Sequence, residues 1–398
     1  MWKDALVKCF KDDKALESTK EELERAEKAL DRKEKRHRQD TKLYVLNCRS
    51  IGKITQWGFP LLFLVVRCAV ADSMAEPEDV EAALRGKTID GWSIESSIGS
   101  GANGIVLQCQ KDSVKAVMKI ALSTYSAASL EWESLVMDKL IAKQNIENRT
   151  LHLVRKLGSG STEVTIGEKT MNLAYVIMEC LPGNPVPIIG SLQGEEQTLK
   201  IIEYGLQLLK AIYDMHQCGF IHRDIKPENI GMYDNKIVVM YDMGMARAYL
   251  DEKGRHRPPR SHAGMRGTEE WSSLNAEIGR DQGRVDDLWG WLYCLNEWVN
   301  CRSQKPQVWS AYDREPNIRQ WMKSPFFSTR MVLNNCPFSF FKISFYLRYL
   351  GRDDTPDYFY LASLLHEASR AVKRRQKPEP PNFEKNKAEI YLLEREFF

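Results

Sequence analysis

The sequence predicts an α+β protein, and three stretches carry that expectation. Residues 92–98 and 105–109 read as strands on either side of Gly99-Ser100-Gly101-Ala102-Asn103-Gly104, so that strand, glycine loop and strand make a hairpin. Residues 129–140 place Leu130, Met137 and Leu140 on one stripe at helical spacing. Residues 236–240 form a β-branched apolar run that ends in Tyr241-Asp242-Met243-Gly244.

The chain has 398 residues, 43% of them hydrophobic, which is enough for a well-buried core. Its 57 basic and 54 acidic residues leave a net charge of +3. That is too small to announce nucleic acid or an acidic membrane, and neither is expected as a partner. The nine cysteines are odd in number, scattered and without a CxxC pair, which argues against a disulfide framework and a zinc site. A reducing compartment follows: the cytoplasm is expected, the nucleus the alternative.

The N-terminal residues 1–91 read as an extension. Met1-Trp2-Lys3-Asp4 leads into charge rather than an apolar leader, so no secretory signal is expected. Residues 14–38 read as a solvated helix, with Leu16, Leu23 and Leu30 one heptad apart. Thr19, Ala26 and Lys33 make a poor second seam, so a monomer with at most a weak coiled coil is expected. The basic run 32–38 is a localisation signal or, more commonly, a solvated face. The apolar run 59–71 is shorter than the roughly 20 residues a membrane span needs, and Arg67 interrupts it. Residues 72–87, acidic and without a strong apolar period, read as a linker.

Glycines at 99, 101 and 104 let backbone N–H groups approach phosphate oxygens. Alone, this pattern fits a dinucleotide site equally well, but there a helix must follow directly. Here a second strand follows, and then Ala116-Val117-Met118-Lys119-Ile120, in which Lys119 matches the lysine that protein kinases set on the α- and β-phosphates. Its carboxylate partner belongs on the 129–140 helix. Glu133 is preferred to Glu131 because it lies beside the apolar stripe.

Ile221-His222-Arg223-Asp224-Ile225-Lys226-Pro227-Glu228-Asn229 carries H-R-D-x-x-x-x-N without deviation. A carboxylate at Asp224 can accept or orient a hydroxyl proton, Lys226 can offset charge on a transferred phosphoryl group, and Asn229 can bind Mg²⁺ through its amide oxygen. Asp242, delivered by the 236–240 strand, is the second expected Mg²⁺ ligand. The cofactors expected are ATP and Mg²⁺.

In order along the chain stand Arg257-Pro258-Pro259-Arg260, Gly264-Met265-Arg266-Gly267-Thr268, Ser273-Leu274-Asn275-Ala276, Asp286-Asp287-Leu288-Trp289 and Pro356-Asp357-Tyr358-Phe359-Tyr360-Leu361. Over residues 92–370 the chain resembles the casein kinase 1 superfamily, and within it the tau-tubulin kinase branch. The resemblance implies a two-lobed kinase fold, with a small β-rich N-lobe at about 92–181, a larger helical C-lobe at about 182–370 and a tail at 371–398. It implies a serine/threonine-protein kinase acting on protein hydroxyls. By position, Ile98, Gly99, Gly101, Gly104, Val106, Lys119, Met178, Glu179 and Leu181 would surround the nucleotide. Met178 would be the gatekeeper and 179–181 the hinge. Asp287 would anchor the catalytic loop, and Thr268 would contact Asp224 and Lys226.

Three residues depart from the family pattern: Asn103 replaces an aromatic at the loop tip, Met243 replaces a phenylalanine, and Glu270 lies where an arginine commonly binds an anion. The last predicts a weaker preference for prephosphorylated or acidic substrates. A pseudokinase scaffold is the alternative reading, and a small-molecule kinase a further rival. The intact set Lys119, Asp224, Asn229 and Asp242 argues against the first, and the Gly267-Thr268 platform against the second.

Overall fold

The structure, a computed structural model, describes residues 76–101, 104–147, 152–303, 306–312 and 314–374. The expected helix and weak coiled coil at 14–38, the run 59–71, Asn103 and the tail beyond 374 lie outside them. All described elements belong to one compact unit beginning at Asp72.

The chain enters through α1 (Pro77–Leu84), where a linker was expected. Pro77 supplies a φ preset for the first turn, and Glu78 and Asp79 face the positive end of the helix dipole. Val80 and Leu84, four residues apart, are fully buried against β2, β3 and β5 of the sheet that follows. Two such side chains contribute about 1.5–3 kcal/mol each. That is enough to hold a short helix whose other faces are acidic.

Six antiparallel strands follow: β1 (Thr88–Ile89), β2 (Trp92–Gly101), β3 (Gly104–Lys111), β4 (Val114–Ile120), β5 (Lys156–Ile166) and β6 (Lys169–Glu179), in the order β1-β2-β3-β4-β6-β5. The helix α2 (Thr124–Glu147) connects β4 to β5. Ile94, Ile105, Leu107, Met118, Ile120 and Ile177 form the core between this sheet and α1. Because β1 pairs with β2, Thr88 to Ser93 and Ile89 to Trp92, the strand-rich region begins before residue 92.

The helical region contains α3 (Pro185–Ser191), α4 (Gly194–Gln217), α5 (Leu274–Glu277), α6 (Arg284–Val299), α7 (Pro316–Lys323), α8 (Thr329–Val332), α9 (Phe338–Tyr349) and α10 (Tyr358–Lys373). Between α4 and α5 lie the short strands β7 (Phe220–Ile221), β8 (Ile230–Tyr233), β9 (Ile237–Met240) and β10 (Arg247–Ala248). On α4, Ile201, Tyr204, Leu208, Ile212 and Met215 follow a helical period and face the core. In contrast α6 is buried on nearly all sides, as a central helix must be, and its Trp291 indole N–H donates to the Gly205 carbonyl at 2.9 Å. One apolar cluster runs from Leu130, Val136 and Met137 of α2 through Val176 and Met178 of β6 into Leu208, Met240, Leu292 and Leu361. The result is an α+β fold of two lobes, strand-rich then helical.

Candidate active site

The register of the first hairpin pairs Gly99 with Val106 and Gly101 with Gly104, and Val106 in turn lies opposite Lys119 on β4. A Cβ at Gly99 or Gly101 would meet open space, whereas at Gly104 (φ +137°) it would sit 2.1 Å from the Ile120 carbonyl oxygen. The third glycine is therefore required by its neighbour strand as well as by its conformation. Ile98 is exposed and Val106 half-buried.

Lys119 is the meeting point of the two lobes. Its Nζ lies 2.8 Å from Glu133 Oε2 on α2 and 2.9 Å from Asp242 Oδ1 after β9. Burial alone would lower the Lys119 pKa, but the two carboxylates outweigh it and raise it. Burial raises Glu133, and Lys119 only partly offsets that. For Asp242 burial also pushes upward, yet Lys119 prevails and holds the carboxyl below its usual value. Glu131, the alternative partner, is exposed. Glu133 Oε1 also accepts the Met243 N–H at 3.1 Å, so α2 grips the Asp242-Met243-Gly244 turn directly. Met243 itself is fully buried.

The catalytic-loop candidate is fixed from below by Asp287 in the first turn of α6. Asp287 Oδ2 accepts the His222 N–H at 2.7 Å and lies 2.8 Å from His216 Nε2, while Oδ1 accepts the Arg223 N–H at 2.8 Å. Burial opposes the Asp287 charge, but these donors bring its pKa below the usual value; burial keeps His216 lowered. Arg223 (φ +70°) and Asp242 (φ +60°) both occupy the left-handed region, a local strain of about 1–3 kcal/mol each that this surrounding network sustains.

Thr268 closes the site from the other side. Its N–H and hydroxyl donate to Asp224 Oδ1 at 2.7 and 2.8 Å, and Lys226 Nζ lies 2.7 Å from Thr268 Oγ1 and 3.0 Å from Asp224 Oδ2. Asn229 donates through Nδ2 to the Asp224 carbonyl at 2.8 Å and carboxylate at 3.1 Å. That orientation leaves Oδ1, the hard donor, for a cation. The Tyr241 N–H donates to the Asn229 carbonyl at 3.0 Å, which ties the Asn229 turn to the residue before Asp242. Among the described residues no group of three or more His, Cys, Asp or Glu is gathered to hold a metal. One amide and one carboxylate suit Mg²⁺, which keeps several waters and binds substrate phosphates.

Met178 and Glu179 end β6 opposite Val117 and Ala116 of β4. Met178 is buried, and the Leu181 side chain packs against β8, where a Cβ on Gly231 would stand 2.5 Å from Leu181 Cδ1. The Glu179 side chain is held by Arg155 and the Tyr233 hydroxyl, and its backbone N–H donates to the Arg155 carbonyl at 3.1 Å. Glu270 is half-buried and accepts the Ser310 hydroxyl.

Sequence reasoning missed four participants. Trp132 donates its indole N–H to the Ala246 carbonyl at 2.8 Å, joining α2 to the segment after Gly244. Arg155 and Tyr233 hold the Glu179 carboxylate at the end of β6. Glu277, just after Ser273-Leu274-Asn275-Ala276, is held by Arg319 at 3.0 Å and Lys323 at 2.6 Å. Its place one residue beyond the quoted motif was the available signal.

Comparison with known proteins points the same way. The family model for the protein kinase domain matches residues 92–302, more than half of the chain. A Dictyostelium discoideum protein named a probable serine/threonine-protein kinase is 26% identical over 284 residues, 69% of this chain and 53% of that protein. Casein kinase I homolog 3 of Schizosaccharomyces pombe is 30% identical over 164 residues, 40% of this chain and 37% of its own length. The chain thus spans about half or less of the length of these relatives. With a strand-rich lobe whose lysine reaches a helical glutamate and an aspartate of the helical lobe, the chain belongs to the protein kinase family.

Proposed function

We propose that the chain is a serine/threonine-protein kinase that transfers the γ-phosphate of ATP to protein hydroxyls. The observation that carries this reading is Lys119 Nζ placed between Glu133 and Asp242, at 2.8 and 2.9 Å. A cation held in this way is ready for the nucleotide phosphates, and the carboxylate behind it keeps α2 in place. Asp224 orients the acceptor hydroxyl and takes its proton. Thr268 and Lys226 hold that carboxylate in position, and Lys226 offsets charge on the transferred group. Asn229 Oδ1 and Asp242 would hold Mg²⁺, which when bound neutralises charge on the phosphates. Ile98, Val106, Met178 and the backbone at 179–181 would enclose the adenine.

Within the family we assign the chain to the casein kinase 1 superfamily and its tau-tubulin kinase-like branch, a reading that rests on the ordered motifs from Arg257 to Leu361. A protein acceptor is favoured over a small molecule because Thr268 sits on the platform that a polypeptide would cross. The Glu270 charge, though tied to Ser310, still opposes acidic or prephosphorylated acceptors. The complete polar set favours catalysis over a scaffold role.

Asp224→Asn is the test. Incorporation of label from ATP into mixed protein substrates should fall by about 10²-fold or more, with magnesium-dependent nucleotide binding retained in a thermal-shift assay. Equal incorporation by the two proteins would refute the assignment of Asp224. Loss of magnesium-dependent nucleotide binding in the wild type would refute the site as a whole.

A further inference from the structure

The segment between Asp242 and Thr268 carries an unusual density of arginine: Arg247, Arg255, Arg257, Arg260 and Arg266, with Arg223 beneath it. One carboxylate answers much of this charge. Asp281, in the loop between α5 and α6, has a side chain only 1% exposed. Its Oδ1 accepts from Arg260 Nε at 2.9 Å and Nη2 at 2.6 Å. Its Oδ2 accepts from the Arg260 backbone N–H at 3.2 Å, from Arg352 Nη2 at 3.1 Å and from Arg247 Nη2 at 3.5 Å. Arg352 Nη2 in addition reaches the Arg257 carbonyl at 3.0 Å.

These partners come from three separate places. Arg247 lies on β10, which pairs with β7 directly before His222-Arg223-Asp224. Arg260 lies midway along the segment, eight residues before Thr268, and Arg352 in the loop between α9 and α10. Arg223 joins the same crowd, with its Nε donating to the Met245 carbonyl at 2.7 Å. The excess of positive charge is visible in Arg223, whose pKa burial and then Arg260 and Arg247 push down to about 10. Burial would raise Asp281, but Arg260 and Arg247 hold it below its usual value, as expected of a working counter-ion.

We propose that Asp281 is a positioning residue: its buried carboxylate is the built-in counter-ion that fixes the path of residues 245–267 and thereby delivers Thr268 to Asp224 at one end and the Asp242 turn to Lys119 at the other. It touches no reacting atom. In many kinases this ordering is the work of an added phosphate on the segment; here a carboxylate from the neighbouring loop occupies the equivalent electrostatic role. Removing it leaves three partly buried guanidinium groups facing one another without the buried carboxylate that pairs them, the costly way to break such a cluster. The effect on turnover rests on the kinase reading, whereas the effect on the segment does not.

The test separates the two. Trypsin cuts after Arg260, and after Arg85 as an internal control, because Arg85 is 61% exposed and lies outside residues 245–267; Arg257 precedes proline and is spared. In Asp281→Asn, cleavage after Arg260 should accelerate about tenfold relative to cleavage after Arg85, and kcat should fall about tenfold or more with KM for ATP little changed. Acetate added to Asp281→Ala should recover part of the kcat and slow the cut after Arg260, while leaving wild type unchanged. Should Asp281→Asn not fold, Arg352→Gln, which keeps the carboxylate and removes one cation, should show the same change in cleavage to a smaller degree. Unaltered cleavage after Arg260 in the variant that folds overturns the proposal. A wild type without transfer activity, but with the cleavage pattern as expected, overturns only the kinase reading.

Discussion

At Gly267 the backbone has φ +96°, and a Cβ there would stand 2.3 Å from the Arg223 carbonyl oxygen. Gly267→Ala must therefore push the catalytic loop away from Thr268, and kcat should fall about 10²-fold while the ATP-induced thermal shift is kept. Steady-state kinetics beside a melting curve will check this; unchanged kcat would show that the loop tolerates the displacement. Glu297 offers a second test. Its carboxylate accepts the Trp271 indole N–H at 2.7 Å, and burial, helped by Glu228 and Glu270, pushes its pKa up to about 7 against the opposing Trp271 bond. A carboxyl raised in the folded state contributes stability below its unfolded value of 4.5 and loses it as pH rises toward 7. The melting temperature of wild type minus that of Glu297→Gln should decline steadily over that window. A flat difference would contradict the burial of this acid.

Among the elements, α2 does more than present Glu133. Glu133 Oε1 and the Trp132 indole take the Met243 N–H and the Ala246 carbonyl at 3.1 and 2.8 Å, so one helical turn holds both ends of the short turn Met243–Met245 that follows Asp242. Trp132→Phe keeps the edge contact with Phe220, at 6.1 Å between centroids, and deletes only the hydrogen bond. Such a bond is worth about 1 kcal/mol, and activity should drop about fivefold with a small loss of melting temperature. Activity equal to wild type would mean that Glu133 suffices. The lysine, its glutamate, the H-R-D-x-x-x-x-N loop and the Asp242 strand were legible in sequence because each is written in a short span with fixed spacing. Trp132 was not, since only the folded chain brings Ala246 to it from 114 residues away.

For the molecule as a whole, the two lobes were read through the resemblance to the casein kinase 1 superfamily, with the strands of 92–120 and the helix at 129–140 written in local pattern, and their outer edges were not legible. Val80 and Leu84 give α1 an apolar face of two residues in an acidic stretch, too little for a periodic signal, although the sheet needs them as a cover. Leu84→Ala should cost about 2–5 kcal/mol in denaturant unfolding. A loss below one kcal/mol would show that α1 is dispensable. Asp281 escaped for the opposite reason: its arginines are 34, 21 and 71 residues away, and no local pattern encodes such a meeting. The hinge proposed at residues 179–181 has a consequence for ligand chemistry. Because Arg155 and Tyr233 already claim the Glu179 carboxylate, an inhibitor built with an amine to capture that acid would have to evict both. Scaffolds that read the main chain from 179 to 181 and fill the space beside the Met178 thioether are the better starting chemistry.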